Sequence, residues 1–99
     1  MAYRIEYSPA TDEHLRVLTA RQRAIVFDAV DDQLAHQPDV ETRNRKPMRP
    51  NPLAPWELRI GALRVYYEIA EDPENVVTIV AIGVKERDCV LIGGKEIKL

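Results

Sequence analysis

Ninety-nine residues carrying a formal net charge of −2 fit one domain, spanning 1–99, and a chain of that size buries roughly 65% of its unfolded surface, enough for one modest core. The single Cys89 excludes an internal disulfide, and His14 and His36 fall on separate predicted helices without Cys companions, so neither a metal site nor a cofactor is expected. The longest apolar run, VVTIVAIGV, is too short to span a bilayer and the first ten residues hold no signal-length apolar stretch, which points to a cytoplasmic protein with no membrane role.

Tyr3, Ile5 and Tyr7 alternate with Arg4 and Glu6, the period of a first strand. Ser8-Pro9 then offers an N-cap followed by proline at the first helical position, opening a short helix with Leu15 and Leu18. Thr19-x-x-Gln22 has the form of a capping box for a longer helix reaching about His36. Its apolar stripe is Ile25, Val26, Ala29, Val30 and Leu34, and Asp28, Asp31 and Asp32 form its solvated face.

Residues 37–54 contain Pro38, Pro47, Pro50 and Pro52 and lack a convincing period, so they read as a long connection. Structureless connections beyond about 12 to 15 residues are uncommon unless functional or disordered. Charge singles this one out. Residues 42–64 carry six basic side chains and one acidic one, whereas the flanking segments are both net acidic. Arg43, Arg45, Lys46, Arg49, Arg59 and Arg64 therefore form a local block able to bind phosphates by counterion release, even on a weakly acidic protein.

Around Gly61-Ala62 the apolar residues alternate again: Trp56, Leu58 and Ile60 before, then Leu63, Val65, Tyr67 and Ile69. A two-residue loop with glycine first suits a tight primed turn, and that register sets Arg59 opposite Arg64 and Glu57 opposite Tyr66. Like charges directly opposed across strands destabilise a sheet unless something negative lies between them. The polar face of this hairpin therefore suits an anion. Asp72-Pro73-Glu74-Asn75 breaks the chain, residues 76–84 read as a strand buried on both faces, and residues 89–92 as a short final strand before a Gly93-Gly94 turn and the tail KEIKL. Strand, two helices, then three or four mostly antiparallel strands is an α+β architecture.

The run LRIGALRVYYEI, a hydrophobic strand and then GVKER resemble the C-terminal half of the RelE/ParE superfamily of bacterial toxin–antitoxin toxins. The likeness extends back through YRIEYSP and the helical pair, covering most of the chain. It implies a RelE-like fold, an antitoxin partner and, in the RelE branch, a ribosome-dependent endoribonuclease that halts translation by cleaving mRNA. Position by position, Arg64 falls at the arginine that acts on the scissile phosphate, Lys85 at a second basic group, and Arg59 and Arg87 at flanking basic positions. Family nucleases carry basic residues where this chain has Pro55 and Glu57, and a C-terminal tyrosine where it has Leu91. Two alternatives therefore stay open: a ParE-like toxin that poisons DNA gyrase without nuclease chemistry, and an inert relative that binds only an antitoxin. Arg64, Lys85 and Arg59 are the candidate catalytic residues, with Arg43, Arg45, Lys46, Arg49 and Arg87 as candidate RNA contacts.

Overall fold

A computed structural model describes residues 2–98. Thr19 caps the longer helix as its sequence predicts: its hydroxyl accepts from the Gln22 N–H at 3.0 Å while the Gln22 side chain accepts from the Thr19 N–H at 2.9 Å. That reciprocal pair satisfies two donors that a helix start otherwise leaves orphaned. The helix it starts is α2 (Ala20–Leu34), preceded by β1 (Arg4–Tyr7) and α1 (Thr11–Arg16). After α2 come β2 (Arg45–Pro47), β3 (Trp56–Ile60), β4 (Leu63–Ala70), β5 (Val76–Glu86), β6 (Cys89–Ile92) and β7 (Lys95–Ile97). No helix among the described residues is long and apolar enough to cross a membrane.

The strands β2 to β7 pair in chain order, all antiparallel, and β1 joins them by lying parallel to β5. The α+β order expected from sequence holds, with a larger sheet. Two short strands account for the difference. β2 arises inside the proline-rich connection, where Pro47 is tolerated because β2 is an edge strand, and the tail supplies β7 by pairing Ile97 with Val90.

β5 changes partners along its length. Residues Val76 to Ile79 pair with β1, and Gly83 to Glu86 pair with β6. Between them the β4 register shifts, with Tyr66 opposite Ala81 and Tyr67 opposite Ile79, so that Val80 is an extra residue in a bulge. The backbone groups left over there are met from the N-terminal segment. The Ser8 N–H donates to the Ile79 carbonyl at 2.9 Å, and His14 Nδ1 accepts from the Ile82 N–H at 3.2 Å. Because Ser8 is drawn to β5 in this way, α1 begins at Thr11 rather than at Pro9, after a turn in which Thr11 Oγ1 donates to the Ser8 carbonyl at 2.6 Å.

The main core lies between α2 and one face of the sheet: Val26, Val30 and Leu34 pack with Leu58, Val65, Tyr67, Val77, Ile79 and Ile82. The helical stripe is narrower than its sequence suggests, since Ile25 stays 37% exposed. Trp56 stacks on Tyr67 with ring centroids 6.0 Å apart, and the Tyr67 hydroxyl donates to the Pro38 carbonyl at 2.7 Å, tethering the chain as it leaves α2. A second, smaller cluster of Tyr66, Ala81, Val90, Ile92 and Ala54 sits on the opposite face. Helices cover only the first face, which leaves the other free to carry a cleft.

Candidate functional site

The turn between β3 and β4 determines what the open face presents. Gly61 has φ +57°, a left-handed conformation that glycine adopts without the steric penalty of a Cβ. The resulting register pairs Ile60 with Leu63, Arg59 with Arg64, Leu58 with Val65 and Glu57 with Tyr66. Alternation then puts Glu57, Arg59, Arg64 and Tyr66 on one face and the core residues on the other.

That face forms one wall of an open cleft of about 580 Å³. Five cations line it: Lys46 from β2, Arg49 from the following loop, Arg59 and Arg64 from the hairpin, and Lys85 from β5. Glu57 and Asp88 are the carboxylates in the lining. The loop holding Arg49 is shaped by Asn51, whose Oδ1 accepts from the Leu53 and Ala54 N–H groups at 2.7 and 3.1 Å and whose Nδ2 donates to the Arg49 carbonyl at 2.7 Å. On β5 the residue beside Arg64 is Gly83, and any Cβ there would stand 2.6 Å from the Leu91 carbonyl oxygen and 2.7 Å from Val90 Cγ1. The small residue lets β6 close onto β5 beneath the cleft.

The cations differ in how they are held. Arg59 Nε donates to Glu57 Oε1 at 2.7 Å, and Glu57 itself is only 8% exposed. Arg64 makes no carboxylate pair among the described residues; its Nη1 donates to the carbonyls of Gly61 and Leu63 at 2.6 and 2.9 Å. Lys46 lies 3.6 Å from Glu41. Lys85 and Arg49 have no ion-pair partner among the described residues. Beneath them Tyr66 is fully buried, and its hydroxyl completes no hydrogen bond of full geometry among the described residues. Burial chiefly, and then the Glu57 charge, hold its phenol well above the ordinary tyrosine range. Cys89 also lines the cleft, but desolvation and the nearby Glu96, Asp88 and Glu86 raise its thiol, which keeps it protonated and a poor nucleophile.

Of the candidate residues, the fold thus gathers Arg64, Lys85, Arg59, Lys46 and Arg49 in one place. It does not bring in the other three. Arg45 is turned inward with 8% exposure, its Nε donating to the Val40 carbonyl at 2.9 Å and its Nη1 to the Gln33 carbonyl at 2.7 Å. It fastens β2 to the end of α2, which leaves it unavailable to a phosphate. Arg43 is exposed outside the cleft, and Arg87 is exposed at the β5–β6 turn with φ 54°. Sequence reading did not single out Asn51 or Ile97 as parts of the site. The Asx-turn chemistry of Asn51 and the alternation of the tail were the signals that pointed to them.

No curated protein matches the chain. Its structure is similar to that of a chain in the crystal structure of the toxin–antitoxin complex RelBE2 from Mycobacterium tuberculosis, with a TM-score of 0.72 and 24% sequence identity, covering 86% of this chain and 100% of that one. At that identity the likeness speaks for the fold. The family described as the ParE toxin of the type II toxin–antitoxin system parDE matches residues 5–89, most of the sheet and both helices included, and the chain belongs to that family.

Proposed function

We propose that this toxin acts on RNA through the cationic cleft, cleaving ribosome-bound mRNA in the cytoplasm, and that a cognate antitoxin silences it. The observation that carries this reading is the pairing of Arg59 with Arg64 inside a cleft shared by Lys46, Arg49 and Lys85. In such a cleavage the ribose 2′-oxygen gives up its proton and attacks the adjacent phosphorus, the P–O5′ bond breaks to leave a 2′,3′-cyclic phosphate and a 5′-hydroxyl that takes its proton from water, and negative charge builds on the phosphorane oxygens between the two. Fixed cations aimed at that position are the main catalytic requirement. Arg64, held only by backbone carbonyls, is free to give its charge to the phosphate; Lys85 stands on the neighbouring strand. Our candidate to accept the hydroxyl proton is Glu57, which lines the same cleft on the strand that carries Arg59 and opposite the strand that carries Arg64. The antitoxin reading draws support from the solved relative, which is a toxin–antitoxin complex.

A second reading, a toxin that poisons DNA gyrase, draws support from the family match itself and from the lack of any histidine among the residues that line the cleft. Induction in a bacterial host separates the two. Growth arrest with cleavage of ribosome-bound mRNA, seen by primer extension, is the expected result. Arrest with intact mRNA and inhibited supercoiling moves the assignment to gyrase, and the absence of arrest overturns both.

A further inference from the structure

Tyr66 and Glu57 face each other across β3 and β4 beneath the cleft, and their hydrogen bonding is unequal. Glu57 is 8% exposed and accepts from Arg59 Nε at 2.7 Å. Tyr66 is fully buried with a hydroxyl that has no such partner. The Glu57 carboxylate is near enough to act on the phenol through its charge and through a weak hydrogen-bonding approach, yet among the described residues the hydroxyl completes no hydrogen bond of full geometry. A buried hydroxyl without a partner is unfavourable, and native structures carry few of them. Here the hydroxyl lies beside Glu57, the cleft carboxylate whose arginine partner a ligand can draw away.

Arg59 is the reason. Its side chain is 51% exposed while that of Glu57 is 10% exposed, so the arginine can swing to an incoming phosphate and the glutamate cannot follow it. Drawing Arg59 away leaves a buried carboxylate unpaired, which is strongly unfavourable unless another donor replaces the guanidinium. Tyr66 is that donor by position. We propose that Tyr66 is a positioning residue: when a phosphodiester in the cleft takes Arg59, the Tyr66 hydroxyl turns to Glu57 and holds its carboxylate in place. The exchange links anion binding to the orientation of the proposed base, and Tyr66 itself never touches the substrate. The inference rests on the reading that the cleft receives RNA.

The test uses the whole chain labelled with carbon-13 at the tyrosine ζ position, together with a short 2′-O-methyl RNA that binds without being cleaved. On saturation the Tyr66 resonance shifts in the wild type, as its hydroxyl gains a charged acceptor. Tyr66→Phe melts no earlier than wild type, because it removes only an unpartnered oxygen, yet it binds the oligonucleotide roughly ten- to a hundredfold more weakly, the span that a hydrogen bond to a charged group represents. An unmoved resonance, an unchanged affinity in Tyr66→Phe, or a wild type that does not bind the oligonucleotide overturns the proposal. A wild type that shows the shift but leaves ribosome-bound mRNA intact keeps the exchange and removes the nuclease reading. Cleavage without the shift does the reverse.

Discussion

Arg59 and Arg64 stand directly opposite each other on the β3–β4 hairpin, and each is steadied without help from the other: Arg59 by Glu57 on its own strand, Arg64 by two carbonyls of the turn. Opposed like charges cost stability in a sheet. The hairpin tolerates the pair because one cation is neutralised locally and the other is drawn back toward Gly61. An anion between the two removes the repulsion, so ligand binding and hairpin stability are expected to rise together.

Arg64→Ala separates binding chemistry from folding. If Arg64 supports phosphorane charge, its loss removes about 3 to 4 kcal/mol of transition-state stabilisation, by analogy with one oxyanion donor, and lowers turnover by roughly two to three orders of magnitude. Stability is expected to change by less than about 1 kcal/mol, since the side chain holds no ion pair and its removal relieves repulsion. Urea unfolding and primer extension at matched expression check the two halves.

Arg45 and Arg49 are expected to behave in opposite ways. Arg45→Ala strips donors from the Val40 and Gln33 carbonyls in a nearly buried setting and is expected to destabilise the fold by about 2 to 3 kcal/mol, as charged hydrogen bonds do. Arg49→Ala touches an exposed, unpaired cleft cation and is expected to leave stability within about 0.5 kcal/mol while weakening oligonucleotide binding and flattening its salt dependence. Denaturant titration beside binding at two salt concentrations distinguishes them. Equal binding losses in the two variants would place Arg45 in the interface despite its burial.

Acid is expected to loosen the β5 bulge through His14. The imidazole must be neutral at Nδ1 to accept the Ile82 N–H, and burial lowers its pKa below the ordinary 6.5, with the Glu13 charge opposing in part. A lowered native pKa means that the unfolded chain binds the proton more readily. The contribution is therefore complete above about pH 6.5, declines as pH falls from there to the native value, and is flat below it. Urea midpoints taken between about pH 5 and about pH 8 are expected to show this slope, and His14→Phe is expected to flatten it.

The hairpin register was legible in the sequence because one glycine-first loop leaves little freedom, and the capping box was legible because both of its partners lie within three residues. The fate of the basic block was not. Arg45 and Lys46 are adjacent and chemically alike, and only the end of α2, reached through a long connection, decides that Arg45 turns inward and Lys46 outward. The burial of Tyr66 was hidden for a related reason. Alternation places it correctly on the charged face with Glu57, but there it packs with Val90 and Ile92 from β6, so the residue is core beneath the cleft and not part of its lining. The start of α1 was set by a contact with β5 that no local pattern encodes.

Gly83 offers a test of how the cleft floor is built. Its backbone is ordinary, so the demand for glycine comes from space alone: a Cβ would stand 2.6 Å from the Leu91 carbonyl oxygen, 2.7 Å from Val90 Cγ1 and 2.9 Å from Ile92 Cγ1. A side-chain tip could move aside, but the first of these contacts is backbone on a paired strand. Gly83→Ala is therefore expected to push β6 from β5 and cost about 1 to 3 kcal/mol, the range for overpacking. Because Gly83 pairs with Arg64 on one side and Ile92 on the other, the damage is expected to extend to both the cleft and the β6–β7 hairpin. Amide exchange measures it: protection falls first at Lys85 to Ile97, while α2 and β1 keep their wild-type rates. Uniform loss of protection across the chain, or none at all, would show that the floor is not a separately yielding part of the sheet.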